Sequence, residues 1–218
     1  MPRPTSPPRT HREAQTEATR AVILDAAEQL FAAHGFAGTS MRAVAAQAGT
    51  SQALLHHHFG TKDGLYEQVK RRFTDLYEAL QPPGAADLFG VPFLRDTLVG
   101  YLRFLRAHPA YHRIRHWARL EGDERPWGEE DAVWQRMHEA VQQGQALGLI
   151  DPDLDPSLFL GAAAAAIAGW LDQRALVCRA LDLDPHDPDL DRRYVEQTLH
   201  TLLHGVATPA LSELLHAR

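Results

Sequence analysis

SMRAVAAQAGTSQALLHHHF, residues 40–59, is the stretch whose reading decides the fold. Ser40 is a good N-cap, because its hydroxyl can accept from an unbonded N–H of the first helical turn. Met41, Val44, Ala45 and Ala48 then recur at helical spacing and make one narrow apolar stripe. Gly49 follows, where a chain leaving a helix often needs positive φ. Ser51 can cap a second helix, whose buried side is expected from Leu54, Leu55 and Phe59. The alanines let two helices cross closely. Two short helices around a tight glycine-containing turn read either as a plain corner between helices or as a helix-turn-helix. In the latter, the second helix can enter a DNA major groove.

The flanks favour the second reading. Upstream lies AVILDAAEQLFAAHGFAGTS, residues 21–40, and downstream GTKDGLYEQV, residues 60–69. Ala26-Ala27, Leu30-Phe31, Gly35-Phe36, Thr39-Ser40, Val44-Ala45, Ala48-Gly49, Ser51, Leu55, Phe59 and Lys62 fall in one register with no gap. From about Thr19 to Val69 the chain resembles the N-terminal domain of the TetR (tetracycline repressor) family of bacterial transcriptional regulators. The resemblance implies an all-α fold. An N-terminal three-helix helix-turn-helix DNA-binding domain would precede a larger helical ligand-binding and dimerisation domain, about nine or ten helices in total. It further implies a homodimer on a palindromic operator of double-stranded DNA, a small-molecule effector, commonly repression, no cofactor and no enzyme activity.

Bulk composition is compatible with this. The chain has 218 residues, 44% hydrophobic and 23% charged, as in ordinary globular proteins. Its net charge of −6 argues against DNA taken whole, but the charge is uneven. Residues 1–72 hold nine Lys/Arg against six Asp/Glu, and residues 73–218 hold thirteen against twenty-two. A basic head on an acidic body suits phosphate binding. The longest uncharged apolar run, Leu158 to Leu171, is fourteen residues, too short to span a bilayer. The N-terminus lacks the apolar core of a secretory signal, so a cytoplasmic location without membrane contact is expected. Cys178, the single cysteine, excludes an intrachain disulfide and reads as a small buried hydrophobe.

Taken in order, residues 1–16 read as a disordered tail rich in Pro, Thr and Arg, in which Arg3, Arg9 and Arg12 could add DNA contacts. Residues 17–66 read as the DNA-binding domain and 67–218 as the effector-binding and dimerisation domain. The first helix is expected over 17–34, burying Val22, Ile23, Ala26, Ala27, Leu30 and Phe31. Thr61 is expected to cap a helix to about Leu80, burying Leu65, Val69, Phe73, Leu76 and Leu80, and Pro82-Pro83-Gly84 ends it. Further helices are expected near 91–107 (with Leu94 in its apolar face), from Pro109, over 129–146, over 156–181 with GAAAAAIAG, and over 190–205 with Leu203. A short one is expected from Pro209. The resemblance implies pairing of two chains through the helices near 156–181 and 190–205.

The resemblance also assigns roles on DNA. Gln52 and Ala53 fall where base edges are met: Gln can bond adenine N6/N7, and an Ala methyl can touch a thymine methyl. Ser40, Arg42, Ser51 and Lys62 fall where phosphates are held. His56, His57 and His58 depart from the pattern, because a tyrosine is usual at position 56. Three successive helical side chains point about 100° apart and cannot converge on one metal ion. His56 and His57 are instead expected on the DNA backbone.

Aromatic and aliphatic residues in the later helices suit a flat or greasy effector: Tyr101, Leu105, Trp117, Trp134 and Trp170. Each could equally be plain core, and Trp127, in a polar loop, could cover an apolar gap. His112 and His116, one turn apart, could share a metal. Arg113 and Arg115 beside them favour a solvated face instead, and no metal is assigned. Two other functions fit less well. One is a regulator without a ligand whose C-terminal part only dimerises or binds a protein partner. The other is an all-α metal-dependent hydrolase, for which no phosphate loop, nucleophile elbow or acid–base pair is present.

Overall fold

The computed structural model describes residues 11–79, 91–128 and 130–204, with side chains described for 13–79, 96–128 and 130–202. The described residues form nine helices and no strand. They are α1 (His11–His34), α2 (Met41–Gln47), α3 (Gln52–Phe59), α4 (Lys62–Ala79), α5 (Val91–Ala107), α6 (Pro109–Leu120), α7 (Glu130–Ala146), α8 (Pro156–Ala180) and α9 (Leu190–His204). The readings placed on Arg3, Arg9, the Arg12 side chain, Leu80, Pro82-Pro83-Gly84, the Leu94 and Leu203 side chains and the helix from Pro209 lie outside the described residues.

Two expectations change at the N-terminal end. Helix α1 begins at His11, so residues 11–16 belong to it and not to a tail. No Pro or Gly interrupts His11 to His34, and Glu13, Ala14, Gln15 and Ala18 are good helix formers. Val22, Leu54 and Leu76, each read as buried, are exposed. The stripe of α1 runs through Ile23, Ala26, Ala27 and Phe31, and Val22 sits one position off it.

The chain forms two compact units. Among the described residues, the first comprises 11–76 and 108–128. α1, α2, α3 and most of α4 are joined there by α6 and the loop after it. Ile23, Phe31, Val44, Leu55, Leu65, Tyr66, Val69 and Phe73 are buried together with Ile114 and Trp127. Several rings meet edge-on: Phe31 on Tyr66 at 4.9 Å, Phe73 on Tyr111 at 5.3 Å and Tyr111 on Trp127 at 5.1 Å between centroids. Burial pushes the Tyr66 phenol well above its ordinary titration range.

α6 is tied to the end of α1 by hydrogen bonds. Arg113 Nε and Trp117 Nε1 both donate to the Ala32 carbonyl, at 3.0 and 3.3 Å. The Glu121 carboxylate accepts from the Phe36 and Ala37 N–H groups at 3.1 and 3.0 Å. Between these contacts lies Gly35, at φ +71. A Cβ there would stand 2.4 Å from Glu121 Oε1 and 3.0 Å from the Trp117 ring. Gly35→Ala should therefore cost about 2–4 kcal/mol, left-handed strain plus overpacking. Gly49, at φ +63 with open space around its would-be Cβ, provides the control. Gly49→Ala should cost only about 1–2 kcal/mol. Equal shifts of the two denaturation midpoints would sink the packing argument.

Among the described residues, the second unit comprises 77–79, 91–107 and 130–204. Asp155 caps α8, accepting from Ser157 and Leu158 N–H, and Pro156 supplies the first turn. Phe159, Leu160, Ala163, Ile167 and Trp170 form its buried stripe, and α5 and α9 pack on it through Leu98, Leu102, Leu105, Leu190, Val195 and Leu199. Cys178 is buried, as expected. Asp191 joins three helices. It accepts from Trp170 Nε1 at 3.0 Å and Arg174 Nε at 3.2 Å, and pairs with Arg106. Burial works against its charge, but these donors win and hold its carboxyl below the ordinary range. Its stabilising contribution is present above the unfolded aspartate pKa and is lost as pH falls through the depressed value.

Candidate nucleic-acid interface

The interface is built by two caps and a turn. Ala43 N–H donates to Ser40 Oγ at 3.2 Å and Leu54 N–H to Ser51 Oγ at 3.1 Å, so both serines start their helices as read. Between the helices, Thr50 N–H reaches the Ala45 carbonyl at 2.9 Å and Gly49 N–H the Ala46 carbonyl at 3.2 Å. That pair of bonds around a left-handed glycine is a Schellman close, and it redirects the chain into α3 within four residues. Leu55 and Phe59 face inward, and the Arg20 guanidinium lies 4.8 Å from the Phe59 ring centroid. Gln47 Nε2 donates to Gln29 Oε1 at 2.7 Å and ties α2 to α1.

The outward face is a contiguous surface. Ser51, Gln52, Ala53, Leu54, His56 and His57 of α3 are all exposed, as are Ser40 and Arg42 at the start of α2. Arg42 has no ion-pair partner among the described residues. His56 Nδ1 donates to the Gly60 carbonyl at 2.6 Å, which turns its Nε2 outward as the polar tip of the ring. His57 stands edge-on to His58, and His58 is half-buried, so the histidines divide between surface and support.

Lys62 is placed differently from the expectation. Its ammonium donates to the carbonyls of Phe36 and Thr39, at 2.9 and 3.1 Å, and lies 4.2 Å from the Phe36 ring centroid. It closes the loop between α1 and α2. What the start of α4 can offer a phosphate is its first N–H groups, which have no intrahelical acceptor.

Leu54 is a residue of the candidate interface that the sequence reading missed. It is 37% exposed, on the same outward face as Ala53 and His57. Leu55 and Phe59 alone satisfy the i, i+4 spacing of so short a helix, and that spacing was the available signal.

The five effector candidates do not form one group. Trp117 lies in the first unit, bound to Ala32. In the second, Tyr101 stands edge-on to Tyr77, Leu105 is buried and Trp134 is largely exposed. Trp170 stacks on Tyr194 at 4.2 Å and lines an open groove of about 820 Å³ along α8 and α9, with Ala166, Gly169 and Val177. His112 and His116, read as solvated, are half-buried and shelter each other, edge to face at 4.6 Å. No helix among the described residues is long and apolar enough to cross a membrane.

Known proteins share this architecture. Residues 23–69 match the model of the bacterial regulatory proteins of the tetR family, and residues 98–199 match that of the tetracyclin repressor-like C-terminal domain. The HTH-type transcriptional repressor SCO4008 of Streptomyces coelicolor is 32% identical over 71% of this chain and 78% of its own length. The crystal structure of the transcriptional regulator SCO4942 from the same species superposes with a TM-score of 0.69 at 27% identity, covering 84% of this chain and 97% of that one. AibR, in complex with isovaleryl coenzyme A and operator DNA, superposes with a TM-score of 0.62 over 85% of this chain and 98% of its own; at 21% identity it speaks for the fold alone. A capped helix-turn-helix with an unobstructed outward face, and relatives matched along both units, lead to one conclusion: the chain belongs to the TetR family of bacterial transcriptional regulators and is a DNA-binding regulator of transcription.

Proposed function

We propose that the protein is a homodimeric repressor that holds a palindromic operator through two copies of α3 and releases it when a small hydrophobic molecule binds the second unit. The observation that carries this is the outward face of α3, where Gln52, Ala53 and Leu54 stand exposed in the first turn of a helix fixed from beneath. One such helix spans too few bases for useful selectivity, and pairing two about 34–36 Å apart remedies that. The groove along α8 and α9 supports the pairing. Small residues Ala166 and Gly169 allow close approach, and Leu158, Leu176 and Leu181 are exposed on α8 and its cap. Tyr101, Leu105 and Trp134 are the proposed contacts for the effector, while Trp170 lines the groove given to pairing and Trp117 is committed to Ala32. AibR, of the same fold, meets both a small molecule and operator DNA.

Selection of bound sites from random duplexes tests the proposal. Inverted repeats with two chains per duplex by sedimentation are expected, and enrichment of single half-sites bound by one chain would refute it. A substitution test bears on His56 and His57, whose exposed rings stand on the outward face of α3. The His56→Gln, His57→Gln double variant should weaken specific and nonspecific duplexes alike, as loss of backbone contacts would; binding equal to the parent's on both would rule out these side chains.

A further inference from the structure

The second unit carries a compact charged cavity that the DNA-reading surface does not use. It measures about 380 Å³ and lies between one face of α5 and the start of α9. Val99, Leu102 and Pro188 provide apolar wall, and Arg103, Arg106 and Arg192 bring three guanidinium groups to it. Two of the three are already engaged. Arg106 pairs with Asp191, and Arg192 is held by Glu196 at 2.9 Å and by Asp189 at 3.3 Å. Arg103, one turn before Arg106, is exposed and has no hydrogen bond or ion pair among the described residues. Asp189 and Asp191 line the same cavity and are both paired: Asp191 takes Trp170 and Arg174 on one oxygen and Arg106 on the other, and Asp189 takes Arg192. One positive charge is left unbalanced beside an apolar wall.

We propose that this cavity binds a small organic anion, an oxyanion carried on a short aliphatic stem. The oxyanion would lie against the fork of Arg103, whose planar donors suit a carboxylate or phosphate bidentately, with Arg106 completing the cradle. The stem would lie on Val99, Leu102 and Pro188. The volume is at the small end of ligand sites, roughly 300–1,000 Å³, which excludes bulky ring systems. The site lies wholly in the second unit, so its failure would leave the DNA reading untouched.

Titration calorimetry on the full-length protein at low salt tests it, with hexanoate, hexyl phosphate and uncharged hexanamide as probes. Binding of either anion at one per chain, with no heat from hexanamide, is expected; whichever anion binds more tightly names the headgroup. Arg103→Ala should weaken the bound anion at least about tenfold, or ~1.4 kcal/mol. Arg103→Lys, which keeps the charge and loses the fork, should weaken it less. Arg103 is exposed, so neither change touches the core, and an unchanged melting temperature verifies that. Equal binding to the Ala variant, equal binding of hexanamide, or no heat from either anion up to about 10 mM would each overturn the assignment.

Discussion

Replacing Trp127 with alanine will destabilise the DNA-reading unit by about 3–5 kcal/mol and abolish specific DNA binding near physiological temperature. The ring is 2% exposed although it comes from the polar segment GDERPWG. It lies edge-on to Tyr111, with the Arg115 and Lys70 side chains over it at 5.1 and 5.7 Å. Lys70 is itself fully buried, paired with Glu67 at 3.0 Å, so removing the indole opens a hole beside a buried cation. A domain's whole stability is about 5–15 kcal/mol, so this is a large share. Trp127→Phe keeps an apolar ring and should lose less. The neighbouring Arg125 pins the loop by pairing with Asp123 at 2.7 Å and Asp63 at 3.2 Å; that hydrogen bond holds the Asp123 carboxyl below its ordinary range. Urea denaturation followed by circular dichroism provides the check. An alanine variant within about 1 kcal/mol of the parent would mean that the loop merely covers the surface.

On the selected operator, Gln52→Ala should weaken binding by about 1–3 kcal/mol, roughly five- to 150-fold, while nonspecific binding stays near the parent's. Arg42→Ala should behave in the opposite way, weakening all duplexes alike and lowering the salt slope by about one. The contrast separates reading from gripping. Leu54 allows a finer test: if it touches a thymine methyl, thymine-to-uracil exchange should hurt the parent and leave Leu54→Ala unmoved. Uniform loss across sequences for Gln52→Ala would show that this side chain contacts backbone.

Most of the fold was legible because its signals are local. Ser40, Ser51, Thr61 and Asp155 each cap the helix they precede, and Gly49 turns where the chain must. α5 spans the residues its apolar spacing predicts, α4, α7 and α9 follow the reading over every described residue, and α8 ends one residue earlier, at Ala180. What escaped depends on distant partners. Nothing near Glu121 in the chain announces that it will accept from Phe36, 85 positions away. The Lys62 ammonium likewise finds carbonyls 26 and 23 positions back, where the sequence pointed to a phosphate. Chemical type is the signal that marks the candidate effector residues, and type alone does not assign Trp117 to a different unit from Trp170.

The reading unit is assembled from two separate pieces of chain, and that governs how the protein can be cut and grafted. A fragment ending at Leu76 would carry every residue proposed to meet bases yet leave the ring partners of Phe73 and the acceptor for Phe36 N–H behind. Chimeras that exchange operator preference between relatives must therefore transplant 108–129 along with 1–76, or repair the seam that the graft exposes.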